Sequence, residues 1–461
     1  MLRNLTRFER TFTDNSIKFA VRWQVSGPLT EEIVAKTIKR IYLHQPTLQR
    51  KPIIDTENDK VYFVECPFEE SFSLQVFELS EENPEFWADK TVEILDSVRN
   101  DKSDKLTRVL FFKNPNSENG PHEMSCVFDH LMFDGRSSFN IVSDFMRFVV
   151  PKNKKKNQNE EEEEEEEIVP LEPKDFNFTE HSKCTKRQLG ETKFTGFDFK
   201  KLTQILGPKP DHQPSLKVPP KFEGQNKFGY IEGSKHERLH FVLDEETTSK
   251  LLKKCKQYSV KPFTFLTDVM FASMNSFWNE NKESKILPGI FVDTRSHYEQ
   301  PLENWYIAAS SWPSELEERV INGETLFWEL AKAMQKEIDF QINEGCILQN
   351  ILYMAASKVR NFGIPTSSAV NNYGCYEKLN HPTENGAFTL NDIHIMGLSY
   401  PPLPTIQLST YSVKGKIKLV PLFSRQVYKQ ETVIKWMTES YLVMLNKIID
   451  SNNDLSFSQL N

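Results

Sequence analysis

Hydrophobic and polar residues alternate near the start of the chain, with Phe19, Val21, Trp23 and Val25 at every second position. A period of two places these side chains on one face and predicts a β-strand. The apolar positions then change to helical spacing, which predicts a helix over residues 30–43. The chain therefore opens with a strand followed by a helix.

A second strand and helix flank a short polar loop. Residues 123–128 have the pattern of a strand, and the segment Asp129-His130-Leu131-Met132-Phe133-Asp134-Gly135 follows it. Ser137 or Ser138 can cap the next helix, in which apolar residues repeat at helical spacing. The segment thus lies between a strand and a helix. Further strands are predicted at residues 60–65 and 106–113.

Residues 151–236 follow neither period, and they contain the run Glu160 to Glu167 and several prolines. A block of like charges cannot bury surface, so we predict a solvated, disordered insert, with an interaction tail as the alternative. The pattern therefore predicts an N-terminal lobe at residues 1–150, a connector at 151–236 and a C-terminal lobe at 237–461.

Regular patterns return in the C-terminal lobe. They predict strands at residues 239–243, 286–293, 405–411 and 416–421, and helices at 244–258, 262–278 and 431–449. Both lobes therefore mix strands and helices, and the predicted fold class is α/β.

Composition and charge restrict the classes of function. The chain has 461 residues, of which 38% are hydrophobic, enough for two domains with sizeable cores. Its net charge is −8, but removing the eight residues Glu160 to Glu167 from 65 acidic residues leaves 57, equal to the 57 basic ones. This balance gives no support for a nucleic-acid or membrane partner. We expect a monomer that acts on small molecules.

The cysteines and the N-terminal residues indicate a cytoplasmic protein. The six cysteines lack the paired spacing of a zinc module or a disulfide framework, so we expect reduced thiols. The first residues lack the apolar core of a signal peptide, and no window approaches the roughly 18 apolar residues of a membrane span. The cysteines are Cys66, Cys126, Cys184, Cys255, Cys346 and Cys375.

His130 is the candidate for chemistry, because a histidine aimed into a cleft from a tight loop can act as a general base near neutral pH. The alternative is a core histidine beside the apolar residues Leu131, Met132 and Phe133. The residues alone leave both interpretations open.

The segment Asp129 to Gly135 resembles the HxxxDG signature of coenzyme A-dependent acyltransferases of the chloramphenicol acetyltransferase type, a superfamily that includes condensation domains. Other segments are similar to the family in the same order along the chain. They are Val25 to Thr30 with His44 to Leu48, Val292-Asp293-Thr294-Arg295, Ser367 to Gly374, and Leu408 to Leu419.

The resemblance implies two chloramphenicol-acetyltransferase-like αβ lobes with a tunnel between them. His130 would be the base that deprotonates an acceptor, with Asn372 and Ser368 as candidate oxyanion donors and Gly374 nearby. Asp134 would form an ion pair with Arg295, and Gly135 would allow a close backbone turn. Acyl-CoA would be a co-substrate, with no permanently bound cofactor.

Two departures from the family pattern narrow the expected reaction. Condensation domains of peptide synthetases usually have two adjacent histidines, and this chain has Asp129 in place of the first, which makes amide formation less favoured. The DFGWG segment of plant-type acyltransferases has no match in residues 372–376. The resemblance is therefore closest to free-standing alcohol O-acetyltransferases, with wax-ester synthases as neighbours.

Three alternatives stay open. The chain can be an amide-forming enzyme of the condensation type, or a catalytically silent module that binds an acyl thioester. A serine or cysteine hydrolase is disfavoured because there is no Gly-x-Ser-x-Gly elbow and Cys126 lies in a buried strand pattern. No metal is implied, since His122, His236 and His240 are typical of surface or core histidines.

Overall fold

The computed structural model describes residues 18–55, 60–80, 82–83, 85–100, 107–129, 133–149, 236–279, 283–286, 289–293, 295, 310–315, 319–343, 368–377, 383–397, 406–424 and 428–460. The chain folds into two units. The first contains Met1–Asn177, Pro301–Ala309 and Tyr376–Gly397, and the second contains Phe178–Gln300, Ser310–Cys375 and Leu398–Asn461.

Strands and helices occur throughout the described residues. The strands are β1 (Lys18–Ser26), β2 (Arg50–Asp55), β3 (Lys60–Glu65), β4 (Phe72–Glu78), β5 (Thr107–Lys113), β6 (His122–Asp129), β7 (His236–Arg238), β8 (Phe241–Leu243), β9 (Ser284–Ile286), β10 (Gly289–Asp293), β11 (Ser310–Glu315), β12 (Arg319–Ile321), β13 (Ser368–Cys375), β14 (Glu384–Asn385), β15 (Phe388–Gly397), β16 (Ile406–Val413) and β17 (Lys416–Ser424). The helices are α1 (Glu31–His44), α2 (Phe68–Ser71), α3 (Phe86–Asn100), α4 (Gly135–Phe148), α5 (Glu245–Tyr258), α6 (Pro262–Asn279), α7 (Phe327–Asn343), α8 (Gln430–Trp436), α9 (Leu442–Asp450) and α10 (Phe457–Leu460). A turn of π-helix, Met437–Tyr441, joins α8 to α9.

The first unit is built on a six-stranded sheet in the order β14-β15-β1-β6-β5-β4. β4 and β5 are parallel, and the other neighbours are antiparallel. The strand predicted from the alternation in β1 is confirmed, although Ala20 and Arg22 on its other face are buried too. Phe19, Val21, Trp23 and Val25 form one buried face. α4 packs on this face, where the rings of Trp23 and Phe145 lie 5.4 Å apart. The sheet thus fixes the position of the helix that follows the HxxxDG segment.

The first unit takes one strand from far along the chain. β15 pairs with β1 over eight positions, from Phe19 opposite Gly397 to Ser26 opposite Thr389. The predicted boundaries place this strand in the lobe at residues 237–461, whereas the structure places Tyr376–Gly397 in the first unit. The difference arises because the local sequence pattern of β15 does not show that its backbone hydrogen bonds are made with β1. The predicted connector lies outside the described residues except for His236.

The second unit is built on a sheet in the order β11-β10-β13-β16-β17-β7, with β8 also paired to β17. β10, β13 and β16 run parallel to one another. One face of the sheet carries Val370, Leu408 and Leu419, which belong to a hydrophobic core shared with α5, α6 and α9. The unit is therefore a sheet with a helical layer and an apolar core on that face.

Most of the predicted elements agree with the structure, within a few residues at their ends. The segment 239–243 is an exception, because its strand is shortened to β8 and a separate short strand, β7, precedes it. The helix predicted at 431–449 contains the π turn. None of the helices in the described ranges has the length and hydrophobicity needed to cross a bilayer.

Candidate functional site

The HxxxDG segment begins at the end of a central strand of the first sheet. β6 ends at Asp129, which pairs with Lys18 of β1. His130, Leu131 and Met132 lie outside the described residues. The chain is described again from Phe133, which is fully buried and lies 4.7 Å from the ring of Phe128. Both ends of the loop that contains His130 are therefore fixed in the core.

Asp134 begins the next helix as its N-cap. Its Oδ1 accepts hydrogen bonds from the backbone N and the Oγ of Ser137, each at 3.0 Å, and its own backbone N donates to Ser137 Oγ. This reciprocal capping box satisfies N–H groups that the first turn leaves without a helical partner. The prediction that Ser137 or Ser138 is the cap is wrong, because the helix starts at Gly135 and Ser137 is its third residue.

Gly135 is the first residue of α4 and is half-buried. It is not among the described glycines with a positive φ. Its backbone dihedral therefore does not require glycine. The close turn that the resemblance implies at Gly135 is not supported by a left-handed backbone conformation.

Arg295 is buried in the second unit and is paired within its own segment. Its Nη1 lies 3.0 Å from Asp293 Oδ1, which also accepts a hydrogen bond from the backbone N of Arg295. Asp293 is the last residue of β10. The ion pair of Arg295 with Asp134 stays a prediction, whereas the pair with Asp293 is a contact that sequence reasoning missed. The Asp-x-Arg spacing in Asp293-Thr294-Arg295 was the available signal.

Several predicted site residues meet at one edge of the second sheet. Phe291 of β10 lies opposite Asn371 of β13, which lies opposite Ser409 of β16. Because the three strands are parallel, their carboxyl ends share an edge, where open α/β sheets usually bind ligands. Asp293 and Asn372 lie close to this edge.

Ser368 lies at the opposite end of β13 from the other predicted residues. It is the first residue of the strand, four positions before Asn372. At about 3.3 Å per residue the two residues are about 13 Å apart, too far for both to donate to one oxygen atom. Asn372 is therefore the better candidate for an oxyanion donor.

The side chain of Asn372 is held in one orientation. Its Oδ1 accepts a hydrogen bond of 3.0 Å from the backbone N of Gly374 and one of 3.5 Å from Thr410 Oγ1. Because both neighbours donate, the atom that faces them is the amide oxygen. The two protons of Nδ2 therefore point away from Gly374 and Thr410. Within the described residues no hydrogen bond involves Nδ2, and the side chain is exposed. Asn372 thus presents a fixed donor group.

A β-bulge creates this geometry. The register with β16 shifts between Asn372, opposite Thr410, and Gly374, opposite Tyr411, so that Tyr373 is the extra residue. Gly374 has a φ of 89°, and a Cβ built on it would meet nothing within 4 Å. Glycine is favoured at position 374 because of the positive φ of the bulge, and not because a side chain would lack room there. Thr410 donates a hydrogen bond to Asn372, and no pattern in the sequence indicated this role.

Other titratable residues have structural roles. Burial raises the pKa of the Cys126 thiol well above its usual range, so this cysteine is not a thiolate nucleophile. His122 is buried in the core, where its Nδ1 accepts from the backbone N of Asn114 and burial lowers its pKa. His240 is exposed, and the side chain of His236 is outside the described residues. Among the residues that the structure describes, no group of His, Cys, Asp and Glu could hold a metal ion.

Solved structures of other proteins share this fold over the whole chain. No family model matches the sequence, and no curated protein does. The trichothecene 15-O-acetyltransferase TRI3 from Fusarium sporotrichioides matches with a TM-score of 0.69 and 12% identity, covering 96% of this chain and 94% of that chain. The condensation domain of the monacolin K polyketide synthase MokA matches with a TM-score of 0.68 and 11% identity, covering 99% of both chains.

A third neighbour shows that the fold hosts more than one kind of domain. The epimerization domain from the third module of tyrocidine synthetase B matches with a TM-score of 0.65 and 15% identity, covering 98% of both chains. At these identities the likeness concerns the fold alone. The chain has the α/β fold of the TRI3 acetyltransferase, the MokA condensation domain and the tyrocidine synthetase epimerization domain.

Proposed function

We propose that this protein transfers an acyl group from a thioester to a hydroxyl group, with His130 as the general base. The observation that carries the proposal is the place of the HxxxDG segment in the fold. The segment leaves a central strand at Asp129 and ends where Asp134 caps α4, so both ends of its loop are anchored. Proton transfer requires a base held within hydrogen-bond reach of the acceptor, and anchored flanking residues favour this role for His130.

The proposed reaction uses the residues in the following way. His130 takes the proton of the acceptor hydroxyl as its oxygen attacks the thioester carbonyl. The tetrahedral oxyanion accepts hydrogen bonds from fixed donors, and we assign Asn372 Nδ2 to this role. When the carbon–sulfur bond breaks, the leaving thiolate takes the proton from His130, which returns the base to its neutral form.

Asp134 is proposed to fix the loop rather than to move protons. Its capping hydrogen bonds orient the start of α4, and a charge interaction with Arg295 is the second contribution that we propose. A double-mutant cycle on Asp134 and Arg295 tests this interaction. A pair in contact gives a coupling of about 0.5 to 3 kcal/mol, whereas additive losses contradict it.

The departures from the family pattern favour a hydroxyl group as the acceptor. Asp129 stands in place of the first of the two adjacent histidines of peptide-forming condensation domains, and this favours O-acylation over amide formation. A neighbour that is an O-acetyltransferase supports the same choice. We propose acyl-CoA as the donor co-substrate. A cytoplasmic location and a monomeric state stay predictions.

Thiol release measures the proposed reaction directly. Purified protein is incubated with acetyl-CoA or octanoyl-CoA and a panel of alcohols and amines, and free thiol is followed. We expect release with alcohols, and a fall of at least about a hundredfold in His130→Ala, since a general base contributes about 10² to 10⁴-fold. The exposed residue His240, changed to alanine, is the matched control.

The outcomes separate the candidate functions. Full activity in His130→Ala shows that His130 is not the base. Faster release with amines than with alcohols favours the amide-forming alternative. No release with any pair, together with binding of acyl-CoA, favours the catalytically silent module.

A further inference from the structure

The second sheet has a polar stripe on the face opposite its hydrophobic core. Along β16, Ile406 and Leu408 belong to the core shared with the helices. The alternate residues Gln407, Ser409 and Tyr411 point to the other face and are also buried. We call these three residues the polar stripe. A sheet face that only packs against other groups usually carries apolar residues at such positions.

The polar stripe retains capacity for hydrogen bonding. Gln407 Nε2 donates to Ser409 Oγ at 3.3 Å, and both residues are 6% exposed. Within the described residues no other hydrogen bond reaches either side chain. The Gln407 carbonyl oxygen, its second amide proton and the Ser409 hydroxyl proton therefore remain available. A ligand that supplies partners to these groups adds hydrogen bonds that the described residues do not make among themselves.

The neighbours of the polar stripe define the chemistry that it fits. Asn371 lies opposite Ser409 on β13 and donates to Tyr373 Oη at 3.0 Å. Val420 lies opposite Ser409 on β17, and Lys418 lies opposite Tyr411 at the end of the stripe. Neutral amide and hydroxyl groups beside an apolar side chain are suited to hydroxyl or amide groups on a carbon chain.

The polar stripe leads toward the carboxyl edge of the sheet. Asn371 lies on the face of the stripe, whereas Asn372, which contacts Thr410, lies on the opposite face near the same edge. Tyr411 lies at this edge opposite Gly374, and Ser409 and Gln407 precede it by two and four residues. At about 3.3 Å per residue these side chains lie about 7 Å and about 13 Å from the edge. A substrate that extends along the strand from the edge meets both of them.

We infer that Gln407 and Ser409 determine specificity by binding hydroxyl or amide groups of a substrate, about 7 to 13 Å from the carboxyl edge of the sheet. The inference rests on the proposed acyl transfer. The group that binds belongs either to the acceptor or to the amide-bearing arm of the thioester. A purely aliphatic alcohol would leave both side chains without partners, so it is a poor acceptor if the acceptor occupies the stripe.

Variants of the polar stripe test the inference. Gln407→Leu and Ser409→Ala remove the hydrogen-bonding groups at similar shape, and Gln407→Met is a second choice that adapts to the site. Ser412→Ala is the matched control, because Ser412 is on the same strand with its side chain on the other face. Urea unfolding of each variant verifies that it is folded.

Two sets of substrates distinguish the acceptor from the thioester arm. In the first set, acetyl-CoA is fixed, and kcat/KM for alkanols is compared with that for diols and hydroxyamides of equal length. In the second set, one acceptor is fixed, and acetyl-CoA is compared with the acetyl thioester of N-acetylcysteamine. We expect each stripe variant to lower the preference for the more polar partner about tenfold in one set, and Ser412→Ala to leave it unchanged.

A binding measurement keeps the inference separate from the proposed function. The thermal midpoint of each protein is measured with the same diols, hydroxyamides and CoA. Unchanged preference in both sets, with active wild-type protein, overturns the inference while acyl transfer stands. If no thiol is released but polar compounds raise the midpoint of the wild type and not of the stripe variants, acyl transfer fails and the binding role stands. No release and no such shift overturn both.

Discussion

At the scale of single residues, Asp134 combines two contributions that substitution can separate. Asparagine is as good an N-cap as aspartate, whereas alanine caps poorly. Asp134→Ala should lower the free energy of unfolding by about 1 kcal/mol, and Asp134→Asn by less, because an amide oxygen can still accept from Ser137. If the charge fixes the loop of His130, both variants should lose similar kcat/KM. Urea unfolding and thiol release measure the two effects, and full activity in Asp134→Asn contradicts the role of the charge.

Asp268 is a buried carboxyl group inside the second unit. It lies on α6 and is fully buried, and among the residues that the structure describes neither carboxyl oxygen has a hydrogen-bond partner. Burial raises its pKa well above the usual range, and the Arg319 guanidinium opposes this shift. A raised pKa in the folded state means that stability is fully present below the unfolded-state pKa of about 3.8 and is lost as pH rises through the folded-state pKa.

Asp268→Asn should therefore be more stable than the wild type, by a margin that is larger at pH 8 than at pH 5. The asparagine has no proton to lose, so it avoids the cost of ionisation. Urea unfolding at the two pH values measures this margin. Asp244→Asn is the control, because hydrogen bonds from Thr247 lower the pKa of the exposed Asp244. Its effect should be constant between pH 5 and 8. A margin for Asp268→Asn that is also constant contradicts the interpretation.

At the scale of elements, an amide on a short hairpin holds the C-terminal end of α4. Asn385 of β14 donates through Nδ2 to the carbonyl oxygens of Met146 at 2.8 Å, Arg147 at 3.2 Å and Val149 at 2.8 Å. These carbonyls lie at the end of α4, where a helix lacks donors of its own. Asn385→Ala should lower the free energy of unfolding by about 1 to 2 kcal/mol. Asn385→Asp should lower it at least as much, because a carboxylate faces the carbonyl oxygens. Unchanged urea midpoints contradict this.

Periodicity predicted the elements whose own residues decide their structure. The strand at 60–65 and the helix at 262–278 agree with β3 and α6 within one residue at their ends. The bulge that orients Asn372 could not be predicted in this way, because it depends on the register with β16. The Asp293 partner of Arg295 lies only two residues away. Its contact with Arg295 could not be predicted, because a separation of two residues alone does not show whether two side chains meet.

At the scale of the whole molecule, the order of residues in the chain differs from the order of strands in the sheet. Gly27 illustrates the difference. Its sequence context indicates an ordinary turn, but its φ is 137° and a Cβ there would lie 2.5 Å from the carbonyl oxygen of Ala387. The glycine is needed because the start of β15 approaches it from a segment more than three hundred residues later. Local patterns predict that a strand exists but not which sheet it joins.

We therefore predict that the first unit needs β15, which comes late in the chain, in order to fold. A fragment of residues 18–149 leaves β1 as an exposed edge, without the eight positions that pair with β15. It should therefore lack a cooperative urea transition by circular dichroism. A peptide of residues 383–397 added in trans should restore the transition, because it supplies β14 and β15 together with Asn385. The same peptide with Ile393→Asp and Ile395→Asp, two positions that are buried in the full chain, should not restore it. A fragment that unfolds cooperatively at the same midpoint with and without the peptide would show that residues 1–150 form an independent lobe.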